Sequence, residues 1–95
     1  MLIVSEGAKK ELKKILSASV DMPQARLRII DRGQGRLGLG LDIEMPGDEI
    51  VEHEGSGVLV VEHGLATSLD GVILDVENAV EGTELVLCEK AKIVL

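Results

Sequence analysis

The spacing of apolar residues changes along the chain and marks out its elements. Leu2-Ile3-Val4 reads as a short strand. Ser5 follows as a helix N-cap, with Glu6 in the first turn, where the helix dipole favours an anion. From there to about Ser17 the period is helical. Ala8, Leu12, Ile15 and Leu16 form one stripe, and Lys9, Lys10, Lys13 and Lys14 lie off it with Glu11. Asp21-Met22-Pro23-Gln24 is a turn, since proline ends a helix. From Arg26 to Asp31 the period becomes two, with Leu27 and Ile29 on one face and Arg26, Arg28 and Ile30 on the other. The glycine-rich turn Arg32-Gly33-Gln34-Gly35 leads into a second alternating stretch. There Leu37, Leu39, Leu41 and Ile43 are assigned to the core face, opposite Gly38, Gly40 and Asp42. Two successive glycines on one face of a strand point to close approach by another backbone or a ligand.

The second half repeats short strands and turns. Met45-Pro46-Gly47-Asp48 turns the chain, and Ile50-Val51 starts a strand. Gly55-Ser56-Gly57 turns it again before the apolar run Val58 to Val61. His63 to Leu69 is a short, weak helix, Asp70-Gly71 a turn, and Val72 to Val76 a strand. Asn78 to Gly82 reads as a loop, Leu85 to Cys88 as a strand, and Lys90 to Leu95 as one further candidate strand. No linker, repeat or low-complexity segment interrupts the series. The fold class is therefore mostly β (α+β). It is a sandwich or pseudobarrel of short strands carrying an N-terminal amphipathic helix, expected as one domain over residues 1–95.

Composition narrows the function. Leu, Ile and Val supply 33 of the 95 residues and no Phe, Tyr or Trp is present, so the core is aliphatic. Ten basic residues against 17 acidic ones give a net charge of −7. Phosphate backbones require a positive surface, and single strands add aromatic stacking platforms. The chain has neither, which argues against nucleic acid. The lysines of the first helix form the one cationic cluster and read as a solvated face. No apolar run is long enough to span a bilayer, and the first residues do not form a signal peptide. A membrane role is not expected, and the expected compartment is the cytoplasm. The single cysteine, Cys88, forms no disulfide within the chain, in keeping with a reducing compartment.

Three motifs bear on chemistry. Gly33 to Gly38 fits G-x-G-x-x-G, but the period-two stretch that follows is a strand, whereas a dinucleotide site needs a helix there. A plain hairpin is the simpler reading. His53 and His63 are ten residues apart and flanked by Glu52, Glu54 and Glu62. They match no local metal-binding spacing and read as surface histidines. Cys88 has no evident base beside it and reads as a partly buried core thiol. No catalytic constellation emerges, and the chain is expected to be non-enzymatic.

The succession of phrases resembles the HesB-like, A-type iron–sulfur carrier family. Leu2 to Ser5 with Ala8, Leu12 and Leu16 is similar to its opening, and Leu27-Arg28-Ile29 with the glycine-rich turn to its "LRI…GGCSG" region. Leu39 to Asp42 resembles "LxLD" and Gly57 to Glu62 resembles "GVxVxVD". Leu69 to Asp75 is similar to "LxGxxIDY", and Gly82 to Leu87 to "GxGFxI". Nearly the whole chain is covered in order. The resemblance implies a mostly-β domain with an N-terminal helix, a homo-oligomer, and iron or an iron–sulfur cluster held by three cysteines. One of these lies in the glycine-rich turn and two in a C-terminal C-x-C.

The chain departs from that ligand pattern. The turn is Arg32-Gly33-Gln34-Gly35, without cysteine, and Lys90 to Leu95 contains no C-x-C. Cys88 matches none of the three positions. No ligand carries over, and Arg32 places a positive charge beside the position of the turn cysteine. The expectation is a degenerate family member with no cofactor, acting through protein partners, with those of iron–sulfur assembly as the candidates. Two alternatives stand beside it. One is iron or an iron–sulfur cluster bound across an oligomer interface by Cys88, His53, His63 and acidic residues. The other is a small ligand bound at the glycine-rich turn.

Overall fold

The computed structural model describes residues 2–19, 24–34, 36–79, 82–88 and 92–94. Strand β1 (Ile3–Val4) and helix α1 (Glu6–Ser19) come first. Four strands follow: β2 (Ala25–Gly33), β3 (Arg36–Ile43), β4 (Glu49–His53) and β5 (Ser56–Val61). A short helix α2 (His63–Ser68) then leads to β6 (Ile73–Ala79), β7 (Gly82–Cys88) and β8 (Lys92–Val94). The strands form two four-stranded sheets, ordered β1-β6-β7-β8 and β3-β2-β5-β4. Both sheets are mixed, because β1 runs parallel to β6 and β2 parallel to β5. The expected mostly-β architecture is present, as two sheets and not a closed barrel. Chain order explains the partition: α1 carries the chain from the first sheet to the second, and α2 carries it back.

The core lies between the sheets and α1. Ala8, Leu12 and Leu16 of the expected stripe are buried there, with Ile15 packed at its margin. Leu27, Ile29, Leu59 and Val61 enter from the second sheet, and Leu74, Leu85 and Leu87 from the first. Ser5 caps α1 as read from sequence. Its hydroxyl accepts from the Ala8 N–H at 3.1 Å and donates to Asp75 Oδ1 at 2.7 Å, so the cap also ties the helix to β6. Gly7 lets the helix approach closely, since a Cβ there would stand 3.0 Å from Val76 Cγ2.

The apolar run in β5 has a geometric cause. Val51 pairs with Leu59, but Glu52 pairs with Gly57, so Val58 is an extra residue in the ladder. This bulge brings both Val58 and Leu59 to the core cluster and leaves Val60 on the outer face, level with Arg28. The turn before it, Glu54-Gly55, has positive φ at both residues (53° and 82°), as a two-residue hairpin turn requires.

Four readings from sequence are corrected. Leu37 and Leu39 pack against the core, but Leu41 and Ile43 on the same face are 49% and 47% exposed, because β3 runs past the edge of the core. Side chains of β2, not another backbone, lie closest to the glycines of β3. The Ile30 side chain lies where a Cβ of residue 40 would be, and Arg32 lies over Gly38, its Nη2 2.9 Å from the same point there. Asn78, Ala79 and Gly82, read as loop, are strand residues: β6 extends to Ala79, which pairs with Gly82 at the start of β7, and Val80 and Glu81 lie outside the described residues. His53 is not a surface histidine but is buried, at 8% exposure, on the bulged hairpin. The candidate tail strand is present as β8, paired with β7.

Candidate functional site

The outer face of the second sheet gathers the polar residues of β2. Strand alternation sends Leu27 and Ile29 inward and leaves Arg26, Arg28 and Ile30 outside. Arg28 is the centre of a network. Its Nε donates to Asp42 Oδ2 at 2.9 Å, and Nη2 donates to the Ile43 carbonyl at 3.0 Å. Nη1 and Nη2 hold the two oxygens of Asp48 at 3.1 and 2.6 Å. Asp48 is nearly buried and also accepts the Met45 N–H at 2.8 Å. These bonds hold the Asp48 carboxyl below its ordinary value, with the Arg28 bond as the main cause. The same pairing raises the Arg28 guanidinium. The network ties the β3–β4 loop to the middle of the sheet. Sequence reading missed it, because no local spacing links positions 28, 42 and 48.

Beside this network is an open cleft of about 500 Å³ between β2, β3 and α2. Its polar lining includes Arg28, Asp31, Asp42, Glu62 and Ser68. Glu62 caps α2 by accepting the Leu65 N–H at 3.0 Å, and its carboxyl is held low chiefly by the Gly64 N–H and then by that of Leu65. Arg28 is committed to two aspartates and a carbonyl, so the cleft presents carboxylates and little free positive charge. That chemistry does not suit a phosphate.

The glycine-rich turn is the tip of the β2–β3 hairpin. Gly33 and Gln34 both have positive φ, at 83° and 55°. The Gly33 N–H donates to Asp31 Oδ1 at 2.8 Å, so a side chain of the hairpin already uses this amide. A phosphate cradle needs such amides free. Arg32 folds back over Gly38. Gly35 lies outside the described residues.

The other sequence candidates are dispersed. His53 ends β4, with Nε2 3.6 Å from Glu54 Oε1. His63 opens α2, beside Glu49 and Asp70 in a second cleft. Cys88, the chain's one cysteine, ends β7 in the other sheet, half-buried and paired with Ile73 and Lys92. Alternation with Leu87 turns its side chain away from the core cluster. Among the described residues, no three His, Cys, Asp or Glu side chains are grouped to hold a metal ion. No helix among them is long and apolar enough to cross a membrane.

Among the solved structures that match this arrangement, two do so over 95% of the chain. One is Escherichia coli SufA, involved in biosynthesis of iron–sulfur clusters, at a TM-score of 0.62 and 21% identity over 82% of its chain. The other is IscA with the [2Fe-2S] cluster, at a TM-score of 0.64 and 18% identity over 86% of its chain. The fold is that of SufA and IscA. The HesB-like architecture expected from the sequence is thereby borne out. No family model matches the sequence, and no curated protein matches it.

Proposed function

We propose that this chain is a non-enzymatic, single-domain relative of the A-type carriers that serves iron–sulfur assembly through protein contacts. It holds no cluster of its own, associates with further copies of itself, and works in the cytoplasm. The fold it shares with SufA and IscA supports the link to the pathway. The observation that carries the rest is the chemistry of the hairpin tip. Clusters are held by about four thiolates or equivalent ligands. Here the tip has Arg32 folded over Gly38, and the chain's single thiol lies in the other sheet. These residues do not fit a cluster within the chain. The acidic surface suits partners with basic docking faces.

Anaerobic reconstitution with ferrous iron and sulfide tests this reading, with iron counted per chain and visible absorbance recorded. The expected result is no stoichiometric iron and no charge-transfer band. The chain has no aromatic residues, so its near-ultraviolet background is low and a cluster band is plain to see. Stoichiometric iron whose band disappears in Cys88→Ser overturns the reading and makes the chain a carrier with a different ligand set.

A further inference from the structure

Strand β3 is the edge of the second sheet, and its outer ladder has no partner among the described residues. It differs from the other strand ends in how little protects it. β4, at the opposite edge, is five residues long, faces the bulge and carries Glu49 and Glu52. β1 and β8, which bound the first sheet, have two and three residues. β3 has eight residues, no proline, no lysine and no bulge of its own. A long edge strand, even one with Arg36 and Asp42 on its outer face, is a template for another strand when neither proline, lysine nor a bulge interrupts it. The same strand leaves Leu41 and Ile43 exposed on its inner face, with Met45 exposed just beyond.

The sequence of β3 is complementary to itself. Antiparallel pairing of two copies about Gly40 sets Leu37 opposite the partner's Ile43 and Leu39 opposite the partner's Leu41. Each exposed apolar residue thus meets a half-buried one. On the outer face Arg36 comes opposite the partner's Glu44. Both residues are exposed and neither has an ion-pair partner among the described residues. Gly38, with Arg32 lying over it, comes opposite the partner's Asp42. Two-fold symmetry makes every pair twice. A register centred one residue earlier, on Leu39, sets Arg36 against Asp42, which Arg28 already engages, and leaves Glu44 beyond the partner's strand. One centred on Asp42 sets Asp42 against its own copy. The Gly40 register joins the unpaired Arg36 and Glu44 and makes both apolar pairs.

We infer that β3 is a self-association edge, joining two copies antiparallel about Gly40 into a continuous eight-stranded sheet. This names the surface for the self-association proposed above, and rests on it. The exposed apolar end of β3 and the unpaired Arg36 and Glu44 then have one common explanation.

The test is light scattering across a dilution series, with circular dichroism confirming that each variant folds. The wild-type chain is expected to dimerise. Arg36→Glu and Glu44→Arg each set like charges opposite each other and weaken the dimer about tenfold or more. The double variant R36E/E44R restores it, a rescue that no general loss of stability imitates. Leu41→Glu leaves a folded monomer. A wild-type monomer at every concentration overturns both this interface and the self-association it rests on. A dimer that neither single charge reversal weakens, or that the double reversal does not restore, overturns the interface alone.

Discussion

Arg28 grips both carboxylate oxygens of Asp48, at 3.1 and 2.6 Å, across 20 residues of sequence. The pair is nearly buried, with side chains 13% and 3% exposed. The strand thereby holds a loop that has no other regular structure. Removing one partner strands the other charge. Asp48→Ala is therefore expected to destabilise the chain by about 3 kcal/mol, read as a fall in the urea midpoint. Arg28→Lys should not substitute, because an ammonium cannot make the two-pronged contact. A midpoint unchanged in Asp48→Ala shows that the bridge contributes nothing to the fold.

Acid should weaken the fold through the same carboxylates. Asp48 and Asp75 are both held below the ordinary value of 3.8, Asp48 mainly by Arg28 and Asp75 mainly by the Ser5 hydroxyl. A carboxyl with a depressed folded-state pKa contributes stability that is complete above the unfolded value. That stability is lost as pH falls through the folded value. The urea midpoint is expected to be level near neutrality, to start falling below about pH 5, and to keep falling beneath pH 3.8. Asp75→Asn should flatten part of that fall. A midpoint that rises on acidification contradicts the assignment.

The glycines of β3 offer a sharper test of packing. The Ile30 side chain occupies the space a Cβ at position 40 would need. Gly40→Ala is expected to cost at most about 1 kcal/mol, since the group that must move is the free end of the exposed Ile30 side chain. In an Ile30→Ala background the same substitution should cost much less, because the two positions share one space. Equal costs in both backgrounds, measured by chemical denaturation, rule out the contact.

Much of the architecture was legible from residue type and period alone. The α1 stripe, the Ser5 cap, the alternating β2 and the glycine-containing turns are local features. Each is set by the geometry of a few neighbouring residues, so the fold class followed from their order. Periodicity determines which face of an element a residue occupies. It does not determine how far the neighbouring layer extends, and so Leu41 and Ile43 were assigned to a core that stops at Leu39. The glycines of β3 signalled close approach, but a strand's cross-neighbours are chosen by register. Only the paired sheet showed Ile30 and Arg32 to be the visitors. The run Val58 to Val61 hid a bulge because four apolar residues carry no period at all. The union of Arg28 with Asp42 and Asp48, the separation of Cys88 from the hairpin tip, and the open edge of β3 are facts of how distant segments pack. Chemistry that depends on residues far apart in sequence was decided by tertiary structure, because no local spacing encodes it.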